Sequence, residues 1–266
     1  MQLTPEHIEL QNSLEKFIDA EINPHVDEWE EQEIYPAHEL FKKMGGLGFL
    51  GIGKPEEFGG SGLDYSYEAI GAFASGRITS LGVAAAIGVQ TNMCTPALTR
   101  HGSDELRKEF LVPTIAGEFV GCVGVTESGA GSDVASLKTT ARKDGDDYII
   151  NGSKMFITNG LQADWMCCLC NTSDDGIHKN KSLIMIPMDT PGITRHKIRK
   201  IGLMASDTAQ IFFDDVRVPQ RNRIGEEGQG FIYQMQQFQE ERLFIAARGP
   251  AMMEDVINQT IDYTRE

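Results

Sequence analysis

Apolar residues recur at a helical period from the start of the chain. Thr4 and Pro5 form a start signal, a cap residue followed by proline in the first turn. Ile8, Leu14, Phe17, Ile18 and Ile22 then follow the spacing of one helix face. "AHELFKKM" repeats the pattern over a shorter length. "DYSYEAIGAFASGR" and "GVAAAIGVQTNMCTPALTRHG" read as longer, well-buried helices, and Ser103 opens another, "SDELRKEFLVPTIAG". From about Phe119 the texture changes. "FVGCVGV", "WMCCLCNT", "SLIMIPM" and "AQIFFDDVRV" are short apolar runs of strand type, and Asp144–Gly145 and Asn151–Gly152 are hairpin signals. The helical period returns at Gly228 and lasts to the end, with Gly249–Pro250 expected to kink it.

These textures predict an α+β chain in three parts. Residues 1–118 form a helical domain, residues 119–226 a β domain of sandwich or barrel type, and residues 227–266 a further helix. The last helix stops on "YTRE" with no stop signal, which reads as a cut that exposes an apolar face for association.

Composition narrows the function classes. The chain has 266 residues, 41% hydrophobic and 24% charged, enough to bury a substantial core. A formal net charge of −15 argues against nucleic acid as a partner, since there is no basic surplus. No apolar run reaches membrane-spanning length, and the N-terminus carries no recognisable address. The cysteines Cys94, Cys122, Cys167, Cys168 and Cys170 are odd in number and form no framework, which suits a reducing compartment. "CCLC" is better read as a buried strand than as half of a zinc site.

Two glycine loops invite a ligand. "GLGFLG", residues 46–51, matches a dinucleotide pattern, but it follows a helix where that pattern needs a strand. It reads as a helix-ending turn with Gly45, Gly46 and Gly48 at positive φ. "VTESGAGSDVASL", residues 125–137, instead follows the strand "CVGV" and precedes a hairpin region. Backbone N–H groups on such a rim can meet a ring or an anionic oxygen, and a plain tight connection explains the loop about as well.

The flanking motifs extend the reading. "TESGAGSD" and "KMFITNG" (residues 154–160) resemble the two flavin signatures of the acyl-CoA dehydrogenase family. "LTRHGSDELRKEFL", "GLMASDTAQIFFDDVRVP" and "IGEEGQGF" resemble that family's other blocks, in the same order and across essentially the whole chain. The resemblance implies FAD as cofactor. Val123, Val125, Thr126, Gly131 and Ser132 fall where the family lines the isoalloxazine ring, and Ser132 also where it meets the coenzyme A arm. Phe156, Ile157 and Thr158 fall on its aromatic-isoleucine-threonine triplet, with phenylalanine where many members have tryptophan. The family removes a proton from Cα of an acyl-CoA and passes a hydride from Cβ to the flavin.

That chemistry needs a carboxylate of raised pKa in a dry pocket. "QEERLFIA", residues 239–246, resembles the base-carrying helix of the long-chain and isovaleryl branches, which places the base at Glu241 and makes Gln239 and Arg242 substrate neighbours. Helix geometry separates Glu241 from Glu240, because adjacent residues point about 100° apart. Glu241 shares a stripe with Phe231, Phe238 and Ile245, whereas Glu240 lines up with Tyr233 and Gln236 on an expected wetter side. The blander reading of Glu241 is a helix ion pair such as Glu241–Arg248. His101 reads as a helix-end residue beside Gly102, and Met235, Met252 and Met253 as core.

The resemblance also implies that residues 227–266 are the first helix of a C-terminal helical bundle, and it implies an electron-transferring flavoprotein as electron acceptor and a homotetramer. Two other readings stand beside dehydrogenation: a non-catalytic flavin- or acyl-CoA-binding paralogue, and a related flavoenzyme of the same fold.

Overall fold

A computed structural model describes residues 3–266. Its N-terminal helices are α1 (Pro5–Glu21), α2 (Val26–Gln32), α3 (Ala37–Gly46), α4 (Tyr65–Ala74), α5 (Leu81–Gly88), α6 (Pro96–His101), α7 (Asp104–Leu106) and α8 (Val112–Ile115). Several start where a side chain satisfies a free backbone donor: Asp64 accepts from the Ser66 N–H, Ser80 from Val83 and Ser103 from Leu106. Phe17, Ile18 and Ile22 pack with Trp29, Tyr35, Phe41, Val83 and Ile87 into one core. Ile8, expected on the same buried face, is half exposed. His7 takes its place, bonded to Ser66 Oγ at 2.7 Å and stacked on Tyr67. In the "GLGFLG" turn only Gly48 has positive φ. Gly45 is required for another reason, since a Cβ there would meet the Ala116 carbonyl carbon at 2.3 Å.

Eight strands follow: β1 (Gly121–Gly124), β2 (Thr140–Asp144), β3 (Asp147–Thr158), β4 (Trp165–Asn171), β5 (Lys181–Pro187), β6 (Ile193–Lys197), β7 (Thr208–Pro219) and β8 (Arg223–Ile224). They form one mixed sheet in the order β6-β7-β3-β2-β4-β5-β8, with β1 also on β4. Alternate residues of β4 enter two cores. Trp165, Cys167 and Leu169 pack toward the helices with Leu98, Phe110 and Leu111. Met166, Cys168 and Cys170 pack against Ile150, Ile211 and Val216 of β3 and β7, so the strands also enclose a core of their own. Burial on both faces explains the unbroken apolar texture of "WMCCLC". Asp144–Gly145 makes the expected hairpin between β2 and β3. Asn151–Gly152 does not. It lies within β3 at a bulge against β7, where Gly152 has φ 143 and any Cβ would strike Thr139.

The last element, α9 (Gly230–Arg265), runs as one helix through Pro250. Among the described residues no helix is long and apolar enough to cross a membrane.

Candidate active site

The strand β4 positions the glycine loop. β1 pairs with it as far as Gly124, opposite Cys168, and β2 begins at Thr140, opposite Asn171. Residues 125–139 leave and rejoin the same strand edge around a notch at Leu169 and Cys170. Inside the loop, Glu127 and Ala130 exchange backbone hydrogen bonds of 2.9 and 3.2 Å. Gly131 and Ser132 are exposed, and a Cβ on Gly129 or Gly131 would meet nothing within 4 Å. No packing among the described residues demands glycine at either position, so the small residues leave a surface open to an approaching group.

The second motif lies beside the first. The Met155 N–H donates to Thr126 O at 2.8 Å, which lays the loop's start along β3. The next residue, Phe156, sits in an irregularity of the β3–β7 register with φ 61 and 64% of its surface exposed. A bulky residue at positive φ costs on the order of 1–3 kcal/mol, and such strain gathers at functional sites. Val123 and Thr126 are half-buried, as is Thr158, while the side chains of Val125 and Ile157 are in the core. Those two can offer only main chain to a ligand. An exposed aromatic ring, adjacent main chain and a glycine rim suit a flat heteroaromatic group such as FAD.

The α9 helix packs against α4 on one side and against β5 and β4 on another. Its half-buried Phe238 joins Val123, Val125, Cys94 and Cys167 in one core. The Glu241 carboxyl raises the thiols of both Cys94 and Cys167, though for each burial is the larger cause. Burial pushes Glu241 itself up to about 7, against smaller downward pulls from Arg242 and Gln237. Its Oε1 is buried without a hydrogen-bond partner among the described residues.

The stripe that carries Glu241 differs from the expected one. The buried line is Gln234, Gln237, Phe244 and Arg248, while Ile245 is half exposed. Polar residues face inward here, so apolar periodicity could not reveal the line. Gln237 Oε1 accepts from the Ala97 N–H at 3.1 Å. Among the described residues Arg248 pairs with no carboxylate; its guanidinium lies 5.8 Å from the Phe244 ring centre, and burial lowers its pKa. Glu240, expected on the wetter side, is 12% exposed and forms an ion pair with Arg100. Gln239 and Arg242 are exposed on the outer face, and Arg242 lies 5.7 Å over Phe238. His101 stacks on Tyr233 at 3.9 Å. Met253 is exposed where a core residue was expected.

Sequence reasoning missed an apolar cavity of about 50 Å³ one turn beyond Glu241. Phe17, Ile18, Phe49, Ile87 and Phe244 line it, and the buried pair Lys54–Glu68 (3.4 Å) stands in its wall. Its lining comes from five separate segments, so no local motif could have revealed it.

Comparison with known proteins agrees with this architecture. The acyl-CoA dehydrogenase N-terminal domain family matches residues 4–118, and the acyl-CoA dehydrogenase middle domain family matches residues 122–216. The mitochondrial long-chain specific acyl-CoA dehydrogenase of Sus scrofa is 37% identical over 267 residues, spanning 98% of this chain and 61% of that protein. The chain thus spans less than two thirds of that relative's length. A crystal structure of a probable acyl CoA dehydrogenase from Mycobacterium abscessus superposes with a TM-score of 0.94 at 40% identity, over 99% of this chain and 70% of that one. A Mycobacterium smegmatis glutaryl-CoA dehydrogenase in complex with FADH2 gives a TM-score of 0.89 at 32% identity, over 98% and 66%.

Proposed function

We propose an activity for this chain from one premise: it belongs to the acyl-CoA dehydrogenase family. The chain binds FAD and takes part in α,β-dehydrogenation of an acyl-CoA thioester. FAD, when bound, supplies the acceptor for the hydride that leaves Cβ. Main chain at Val123, Val125 and Thr126 and the Phe156 ring hold the flavin, with Gly131 and Ser132 at the rim. Ser132 also meets the thioester arm, with Gln239 and Arg242 at the outer mouth. The Glu241 carboxylate takes the α-proton.

The observation that carries this reading is the state of Glu241. A carboxyl raised to about 7 by burial, with one oxygen free, is poised near neutral pH to accept a proton. The same premise brings an electron-transferring flavoprotein as the onward acceptor and a homotetramer as the assembly.

Melting the protein with FAD or with NADH tests the cofactor assignment. FAD should raise the melting temperature through linkage and show a shifted visible band. Protection by NADH and none by FAD overturns it.

A further inference from the structure

One buried ion pair lies under the glycine loop and takes no part in the chemistry proposed above. Lys154 on β3 is fully buried. Its ammonium has three donors, and all are used: to Glu127 Oε1 at 2.9 Å, Leu169 O at 2.8 Å and Val125 O at 3.2 Å. Leu169 is in the β4 notch that neither β1 nor β2 covers, so Lys154 supplies a hydrogen bond where the sheet has none. Glu127 in turn accepts the Thr139 N–H on Oε1 at 3.0 Å and the Lys138 N–H on Oε2 at 2.7 Å. Burial pushes its carboxyl up, but Lys154, Thr139 and Lys138 outweigh that and hold it below the usual range.

The contacts join four pieces of chain. Val125 and Glu127 are the loop's first foot, and Lys138 and Thr139 its second. Lys154 belongs to β3 and Leu169 to β4. The residues after Lys154 are Met155, which bonds to Thr126 O, and the strained Phe156.

We propose that the Lys154–Glu127 pair is a positioning device that sets both feet of the 125–139 loop, and their distance from Phe156, in the shape that receives the flavin, before any flavin binds. This rests on the functional reading above. A buried ion pair is weak evidence for stability, because well-packed apolar residues often serve as well. Directionality is what the pair adds. An apolar pair could fill the space but could not orient two carbonyls and two amides from three segments.

The test uses Lys154→Met combined with Glu127→Gln, which removes both charges and keeps side-chain size. Binding of FAD is followed by quenching of flavin fluorescence, and the fold by far-ultraviolet dichroism and melting. The expected variant keeps its fold, binds FAD weaker by on the order of ten- to a hundredfold, and gives an altered visible dichroism of the bound flavin. Native affinity together with native flavin dichroism in the folded variant overturns the proposal. Amide hydrogen exchange on the wild type without FAD tests preorganisation with no substitution, and decides the matter if the variant does not fold. The Lys138 and Thr139 amides should be protected far above those of residues 131–133. Equal exchange in both groups overturns the proposal. Failure of the wild type itself to bind FAD removes the functional reading and this inference together, which the wild-type control separates from failure of the inference alone.

Discussion

Glu241→Gln should make the protein more stable at alkaline pH and hardly change it at acid pH. The carboxyl titrates at about 7 in the fold and at the ordinary 4.5 when unfolded. A raised carboxyl favours folding below its unfolded value, and that contribution is lost as pH rises through the folded value, here from 4.5 to about 7. At about 1.4 kcal/mol per pH unit the full penalty is about 3 kcal/mol. Residual solvent contact reduces this to about 2 kcal/mol. Glutamine keeps the shape and never ionises, so the variant avoids the penalty. On a chain of this size the gain corresponds to about 4–8 °C in melting temperature at pH 8.5. At pH 5 the gap should shrink below about 1 kcal/mol. Denaturant and thermal melts of both proteins at the two pH values decide it. A gap independent of pH, or a variant less stable at pH 8.5, refutes the claim that Glu241 is held in a dry, charge-averse site.

Asp207, raised to about 6 by burial, accepts the Leu161 and Gln162 N–H groups through Oδ2 and leaves Oδ1 unpartnered. Asp207→Asn keeps an acceptor for those amides, so by the same sign it should stabilise the fold by about 2 kcal/mol at pH 8 and lose that gain near pH 4, as melts at both pH values would show. Glu240→Gln should cost about 1 kcal/mol in denaturant melts by breaking the Arg100 pair, and leave proton abstraction intact. A loss of turnover as large as that of Glu241→Gln would place the base wrongly. Phe156→Gly relieves a positive-φ residue at the cost of backbone freedom, so flavin-free stability should stay within about 1 kcal/mol in melts. Its FAD dissociation constant should rise by about tenfold, and unchanged FAD affinity would remove Phe156 from the site.

The order of helices, strands and final helix was legible because each texture is local. Phe17, Ile18 and Ile22 repeat at the helical period, and β4 and β5 are continuous apolar runs because both their faces are covered. Errors arose where a distant contact decided the outcome. Ile8 is turned outward because His7 finds Ser66 and Tyr67 on another helix. Gly152 looks like a turn residue but is required by the approach of Thr139. At the candidate site, the two motifs were visible as strings, yet the bond from Met155 to Thr126 that brings them together was not. Helix spacing separated Glu241 from Glu240 but attached it to the wrong neighbours. Apart from Phe244, the stripe that buries Glu241 is built from glutamines and an arginine, which hydrophobic patterning does not count. Arg100 draws Glu240 out of water from a helix far away in sequence.

Anaerobic titration of the FAD-loaded protein with a straight-chain acyl-CoA follows proton removal at Glu241 and hydride loss from Cβ in one signal, the visible flavin band. The wild type should bleach, and Glu241→Gln should bind the same ligand yet bleach slower by on the order of 10²–10⁴ or more. Bleaching of Glu241→Gln at the wild-type rate would contradict the assignment of Glu241 as the base.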